Sequence, residues 1–436
     1  MNIMKKKPNI ILFITHDQGQ FLGCYDTFLA PNQLRTPNLD EVAKKGVRFT
    51  NHYCTAPQCS PSRGSIQTSL YPHQNGLMGL VNLGWTMPEE NKTLPMYLKE
   101  NGYTTHLLGL QHETLDAKTL GYDTISKRGP EFKYSRGRME KEYLKFLTEH
   151  KDDDKPFYLN IGTIEVHRPY KAWSEAVDPE RVRIPPYLPE NDEVRQDFAE
   201  FYGNIEIVDE TIGKLIDHLE SIGILENTLF IYTTDHGIPF PRAKCTLYDP
   251  GLLTLMIMYQ KNSDLFSGGK IVDGMVSNID LLPSLLDYIG GEIPKDIEGV
   301  SFLPLLNEEK EEVRSEIFAE KTFHEIYDPM RGIRTRRFKY IRNFKSLDRL
   351  YQIPRDIFID GTGQVMKSMD EEERPMEELY DLEKDQLERN NILKDASYQE
   401  VLNDLRSRLE KWMERTNDPL LEGKVEDKRQ EVKEHY

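Results

Sequence analysis

The sequence predicts an α/β protein: a large, mostly parallel sheet lying between helices, followed by a smaller C-terminal α+β domain with an antiparallel sheet. Three observations lead to it. Apolar runs of strand length alternate with helical patterns as far as Gly290-Gly291, the mark of a sheet covered on both faces. Beyond that point the pattern changes to a charged, linker-like stretch, Pro304 to Arg314, and then to short strand-like pieces and one helix. The length, 436 residues with 38% hydrophobic and 30% charged, suffices for one large core and a second, smaller one. The boundary is expected near residue 308, giving units 1–308 and 309–436.

In chain order, the first strand is expected at Ile10–Thr15, an apolar run closed by His16 and Asp17. A helix is signalled at Thr36-Pro37-Asn38, with proline suited to its first turn, and stops at Gly46; another spans Thr93–Asn101 and stops at Gly102. Strands follow at Tyr103–Leu108 and Phe157–Ile161. The longest amphipathic helix is expected over Gln196–Ile222, where Phe201, Ile205, Val208, Ile212, Leu215 and Leu219 recur at helical spacing before Gly223. That stripe reads as core. Strands at Thr228–Thr233 and Leu253–Met258 complete the large sheet. In the second unit the strand-like pieces are Glu316–Glu320, Gly332–Arg334 and Phe338–Ile341, a helix is expected from Tyr398 to Thr416, and the charged tail after Leu421 reads as loosely ordered.

Net charge of −17 argues against nucleic-acid and anionic-membrane partners, which need a basic footprint, so an anionic substrate must be held locally. The basic run Arg331, Arg334, Arg336, Arg337 and Lys339 reads mainly as a solvated strand edge that resists pairing. Four cysteines, Cys24, Cys54, Cys59 and Cys245, form neither a disulfide framework nor a paired zinc pattern and are expected to be reduced. The basic start Met1 to Lys7 is followed by too short an apolar run for a signal peptide, and the expected location is the cytoplasm.

The densest chemistry lies in Ala56-Pro57-Gln58-Cys59-Ser60-Pro61-Ser62-Arg63-Gly64-Ser65. Pro61 suits a first helical turn, so Cys59 is expected at a helix N-terminus, where free N–H groups and the dipole favour an anion, with Arg63 able to fold back over it. Taken alone, Cys59 would read as a small buried hydrophobe. Ligands of open α/β sheets gather at the carboxyl ends of strands, and three such ends carry polar chemistry: Thr15-His16-Asp17-Gln18, Glu165-Val166-His167-Arg168-Pro169 and Thr234-Asp235-His236-Gly237. Carboxylates at two neighbouring strand ends suggest a divalent cation between them, although alone they read equally as separate polar strand ends.

Cys-x-Pro-x-Arg resembles the signature of the type I sulfatases, in which the cysteine is oxidised after translation to formylglycine. His73-Gln74-Asn75-Gly76, Asp235 to Pro241, Leu247-Tyr248, His324-Glu325, Pro329-Met330-Arg331, Lys411-Trp412 and Asn417-Asp418-Pro419 are similar to runs of the heparan N-sulfatases, or sulfamidases. The resemblance covers most of the chain and implies an alkaline-phosphatase-like fold. It also implies a sulfohydrolase acting on sulfated glucosamine in heparin or heparan fragments, most directly on the N-sulfate. Hydrated formylglycine offers two hydroxyls on one carbon: one attacks sulfur, and the other then expels sulfate and regenerates the aldehyde. A maturation enzyme acting on Cys59 is implied as a partner, beside the sulfated saccharide. The metal set implied is Asp17, Asp235 and His236 with residue 59, joined by His16 or, on a register shifted by one, by Gln18. Calcium is the ion implied; two imidazoles would make the site softer and admit a transition metal.

The resemblance assigns Arg63 to holding the hydroxylate, His112 to orienting or deprotonating it, and His167 to protonating the leaving group. His324, Glu325 and Arg331 are the candidates for sugar recognition. Two departures stand out. Gly109-Leu110-Gln111-His112 has leucine where sulfatases commonly carry a sulfate-clamping lysine, and Lys244 stands where sulfamidases carry arginine, keeping the charge without the bidentate fork. These departures leave two alternatives open: an O-sulfatase or phosphonate or phosphate diester hydrolase of the same superfamily, and a catalytically weak sulfated-sugar binding protein.

Overall fold

The computed structural model describes residues 7–31, 33–126, 136–170, 175–358, 361–367 and 372–428, the side chains of 136–138 excepted. Most of the basic start and the last residues of the charged tail, 429–436, lie outside the described residues. The large sheet has nine strands: β1 (Asn9–Thr15), β2 (Val47–Tyr53), β3 (Thr104–Gly109), β4 (Thr124–Ile125), β5 (Phe157–Gly162), β6 (Thr228–Thr234), β7 (Leu253–Tyr259), β8 (Lys270–Val272) and β9 (Val276–Ser277). Their order is β4-β3-β5-β1-β6-β7-β2-β8, with β9 beside β2. All neighbours are parallel except β7, which runs antiparallel to both β6 and β2.

This is the expected architecture, and its cause is visible in β1. Every residue of that strand is buried, Ile11 and Phe13 on one face, Ile10, Leu12 and Ile14 on the other. Successive side chains of a strand point to opposite faces, so an unbroken apolar run can only be satisfied by covering both. One face takes the helices Pro37–Lys45 and Asp192–Ser221, and the other takes Leu94–Glu100 and Leu281–Tyr288. The helix Asp192–Ser221 starts four residues before the expected Gln196, because Asn191 Oδ1 caps Val194 N–H at 2.9 Å. Among the described residues no helix is long and apolar enough to cross a membrane.

The smaller antiparallel sheet is β10 (Glu316–Phe323), β11 (Tyr327–Thr335), β12 (Phe338–Asn343) and β13 (Glu377–Asp381), in that order. Residue 308 falls between the short helix Leu303–Leu306 and β10. The helix Gln399–Arg415 lays Leu402, Leu405, Leu409 and Trp412 against Ile333, Tyr340 and Leu379 of this sheet.

The basic run departs from its expected role as a solvated edge. Arg336 is exposed and Arg337 half-buried, but Arg331, Arg334 and Lys339 are buried and paired. Arg334 Nη2 lies 3.0 Å from Asp249 Oδ2, and Lys339 Nζ lies 2.6 Å from both Asp249 Oδ1 and Glu388 Oε1. The reason is position: β11 and β12 are the two interior strands of their sheet, and acids distant in sequence supply the countercharge that a buried cation requires.

Candidate active site

The site forms where β1, β6 and β5 end. Thr15 pairs with Thr234 and Ile14 with Gly162, so the residues just beyond these strands emerge side by side. Asp235 is the hub. Its Oδ1 accepts from Asp17 N–H and His236 N–H, both at 2.9 Å, and its Oδ2 accepts from Arg63 Nε at 2.9 Å. Asp17 itself has a φ of 48°, left-handed backbone that a non-glycine residue adopts at a cost, here offset by that bond to Asp235. Gly237 must be glycine, because a Cβ there would stand 1.9 Å from Pro250 O.

Cys59 is the first residue of the helix Cys59–Thr68, every residue of which is buried. Its Sγ lies 3.8 Å from Asp17 Oδ1 and 3.5 Å from His236 Nε2. The helix is fixed over the strand ends by Ser62 Oγ, which donates to Asp235 O, and by Arg63 Nη2, which donates to Thr15 O at 3.0 Å. Burial pushes the Cys59 thiol well above its ordinary range, with Lys244 opposing, so an unmodified thiol here is not a thiolate at neutral pH.

Both carboxyls of the hub are ionised. Burial would raise Asp17, but Lys244, then His236 and His167, hold it well below the usual carboxylate range. Burial likewise opposes Asp235, and His236, His16 and Arg63 bring it down. Lys244 Nζ donates to Asp17 Oδ2 at 2.7 Å and to Asp356 Oδ2 at 2.8 Å, and those acids more than offset the effect of burial, keeping it protonated.

The donor set suits a divalent cation. His16, Asp17, Cys59 and Asp235 are buried and each offers a ligand atom, all within 4.8 Å of one another. Neither ring nitrogen of His16 makes a hydrogen bond, although Nδ1 is 3.0 Å from Asp235 Oδ2. That leaves Nε2 as a buried imidazole nitrogen facing no polar partner, which is costly unless an ion satisfies it. His236 Nε2 is 2.9 Å from Asp17 Oδ1, while its Nδ1 pairs with Gly237 O at 2.9 Å, which leaves Nε2 facing the cluster. Gln18 is committed elsewhere: its amide accepts from Tyr232 OH at 2.7 Å and Thr15 Oγ1 at 2.9 Å and donates to Phe21 O at 3.1 Å.

The remaining expected residues divide. His112 packs beside His16, ring centroids 6.2 Å apart, with Nε2 3.2 Å from Asn82 Oδ1; burial and then His16 hold it neutral. His167 lies 3.5 Å from Lys244 Nζ and 5.5 Å ring to ring from His16. Burial and then Lys244 lower its pKa, against the opposing pull of Asp17 and Asp356. Its neighbour Arg168 fixes the segment through a bidentate pair with Asp197, 2.7 Å on each arm. His324 is buried, its Nδ1 has no hydrogen bond, and burial followed by Lys244 lowers its pKa to about 3. Glu325 accepts from Arg355 N–H at 2.9 and 3.1 Å and so ties its loop to the one bearing Asp356.

Arg331 is not at the site. Its Nη2 donates to Asp418 Oδ1 at 3.0 Å, its Nε also pairs with Asp418, and its Nη1 donates to Lys321 O and Met330 O, both at 3.0 Å. Every nitrogen of its fork is committed inside the second sheet, so its role is structural. Arg331→Met is expected to cost about 3–5 kcal/mol in urea unfolding while leaving KM for substrate unchanged in steady-state kinetics. Asp356 is the residue that sequence reading missed: it sits in Arg355–Phe358, after no expected strand, and nothing in Pro354-Arg355-Asp356 signals a site.

Fold and site together define an alkaline-phosphatase-like hydrolase, with a buried anionic cluster at the carboxyl ends of a mostly parallel sheet. Residues 8–291 match the profile of the sulfatase family, and residues 242–357 match the one described as the C-terminal region of N-sulphoglucosamine sulphohydrolase. The chain belongs to the sulfatase family and is a hydrolase of that type; sulfatases generally use a formylglycine and a divalent metal. It is 27% identical to human N-sulphoglucosamine sulphohydrolase, over 98% of this chain and 95% of that one. It is 29% identical to an ulvan-active sulfatase of Formosa agariphila, over 95% of this chain and 76% of that one. Among solved structures, BT4656 in complex with its substrate D-glucosamine-2-N,6-O-disulfate shares the fold, with a TM-score of 0.73 and 22% identity over 95% of this chain and 99% of that one.

Proposed function

We propose that the protein removes the N-linked sulfate from glucosamine in short heparin or heparan saccharides, through a formylglycine made from Cys59 by a maturation enzyme. The observation that carries this reading is the profile match over 242–357, which spans Lys244, His324 and Asp356. The raised pKa of the Cys59 thiol supports it too, since the unmodified side chain is a poor nucleophile where it stands.

Asp17, Asp235, His16 and His236, with residue 59, would hold the divalent ion, calcium on this reading. When bound, such an ion supplies positive charge that lowers the pKa of a ligating hydroxyl and stabilises charge developing on sulfate. The protein's own groups do the rest. Arg63 fixes Asp235 and presents Nη1, buried and without a hydrogen bond, at the start of the Cys59 helix. Neutral His112 is able to accept a proton from the residue 59 hydroxyl. His167 is on the far side of Asp17 and, beside a bound sulfate, becomes the donor to the departing nitrogen. Lys244 supplies an ammonium on that side, and His324, Glu325 and Asp356 line the approach from the C-terminal part of the chain.

Incubation of the matured, calcium-loaded protein with N-sulfoglucosamine and with glucosamine-6-sulfate tests the proposal. Free sulfate is expected from the N-sulfated sugar only; release from neither, with formylglycine confirmed at residue 59, overturns it. A second reading, hydrolysis of phosphate or phosphonate diesters, is favoured by Leu110 in place of the usual sulfate-clamping lysine. Turnover of a phosphodiester faster than of any sulfated sugar would establish it instead.

A further inference from the structure

Lys244 is shared between carboxylates from distant parts of the chain. Asp17 Oδ2, just past β1, lies 2.7 Å from Nζ, and Asp356 Oδ2, in Arg355–Phe358, lies 2.8 Å from it. The third direction of the ammonium faces His167 Nε2 at 3.5 Å, and Asp356 Oδ2 is itself 3.6 Å from that nitrogen. Asp356 Oδ1 is buried without a hydrogen bond. An ammonium has three donors and no acceptor, and inside a protein it must keep a countercharge.

Asp17 alone would serve as that countercharge, but Asp17 is also the carboxylate that the metal-ligand cluster shares. A lysine paired with Asp17 only would compete with any cation for it. We infer that Asp356 is a positioning residue that resolves this competition: it keeps Lys244 anchored when Asp17 turns to a divalent ion, so that the N–H released from Asp17 points at a sulfate oxygen. The charges agree with this. Three carboxylates, Asp17, Asp235 and Asp356, meet two cations, Arg63 and Lys244, in direct contact. A dication turns that cluster from one net negative to one net positive charge, the complement of a single sulfate monoanion. The inference rests on sulfatase chemistry without depending on which sugar is cleaved.

A double-mutant cycle read with p-nitrophenyl sulfate and with calcium titration calorimetry tests it. Lys244→Ala is expected to lower kcat/KM by about 100-fold, the effect of losing one preorganised donor. Asp356→Asn is expected to lower it by about 10-fold, mainly in kcat, and to weaken calcium binding by about 10-fold as Lys244 settles on Asp17. The variant carrying both changes should be no less active than Lys244→Ala and should recover parental calcium affinity, because the competing ammonium is gone. Asp356→Glu should restore most of kcat. Additive losses of activity, unchanged kcat/KM in Asp356→Asn, or calcium binding that stays weak when Lys244 is also removed would each overturn the inference. Should Asp356→Asn fail to fold by circular dichroism, Asp356→Ser goes into the same cycle, where coupling to Lys244→Ala supports the inference and additivity overturns it.

Discussion

Cys59→Ala is expected to abolish sulfate release, lowering kcat by about a millionfold, the scale on which removing a covalent nucleophile acts. Cys59 opens a helix whose free N–H groups favour an anion, its Sγ lies within 4 Å of Asp17 and His236, and burial keeps its thiol protonated. A neutral thiol in that place is of little use to a sulfatase, whereas a hydrated aldehyde attached to the same carbon carries two hydroxyls. Alanine removes both options and leaves the metal-ligand carboxylates in place. Its cost in stability should be about 1 kcal/mol, since only a small buried atom is lost. Sulfate release measured beside a thermal melt separates the outcomes: a folded, inert variant is expected, and a folded variant retaining a tenth of the activity would move the nucleophile elsewhere.

The second large effect belongs to Asp235. Asp235→Ala removes the acceptor of three hydrogen bonds, from Asp17 N–H, His236 N–H and Arg63 Nε, and strands the buried Arg63 guanidinium. Breaking one side of a buried ion pair costs about 3–5 kcal/mol, because the remaining charge is left without a partner. The same change also releases the left-handed backbone of Asp17 from the bond that offsets its strain. Activity should fall by at least about 1,000-fold together with that destabilisation. Asp235→Asn keeps an oxygen for the two backbone donors and should recover about half of the stability but little activity, since the charge facing Arg63 and the cation is gone. Urea unfolding and sulfate release, measured on both variants, check the two effects independently.

Much of this was legible in the sequence because the chemistry sits at strand ends. β1, β5 and β6 are apolar runs that end abruptly in His16-Asp17, in the segment leading to His167, and in Asp235-His236, and a parallel sheet brings such ends together. Two classes of feature were not legible. β2 and β13, Val-Arg-Phe-Thr-Asn-His-Tyr and Glu-Glu-Leu-Tyr-Asp, carry too many polar residues to read as strands; each is stabilised by its neighbours in the sheet more than by its own composition. Long-range ion pairs were equally hidden. Nothing local distinguishes Arg331, committed to Asp418, from Arg336 on the surface, and nothing local marks Asp356 as the partner of Lys244 more than 100 residues away. Sequence patterns report periodicity and punctuation, while the burial of a charge is decided by which distant acid the fold delivers to it.

The central claim is that this site cleaves sulfate from nitrogen. The most direct measurement gives the matured protein a single sugar bearing both linkages, D-glucosamine-2-N,6-O-disulfate, and identifies the product by mass spectrometry and NMR. The account predicts glucosamine-6-sulfate, with a free amine and one equivalent of sulfate. N-sulfoglucosamine as the product, with the 6-O-sulfate removed and the N-sulfate intact, would contradict it.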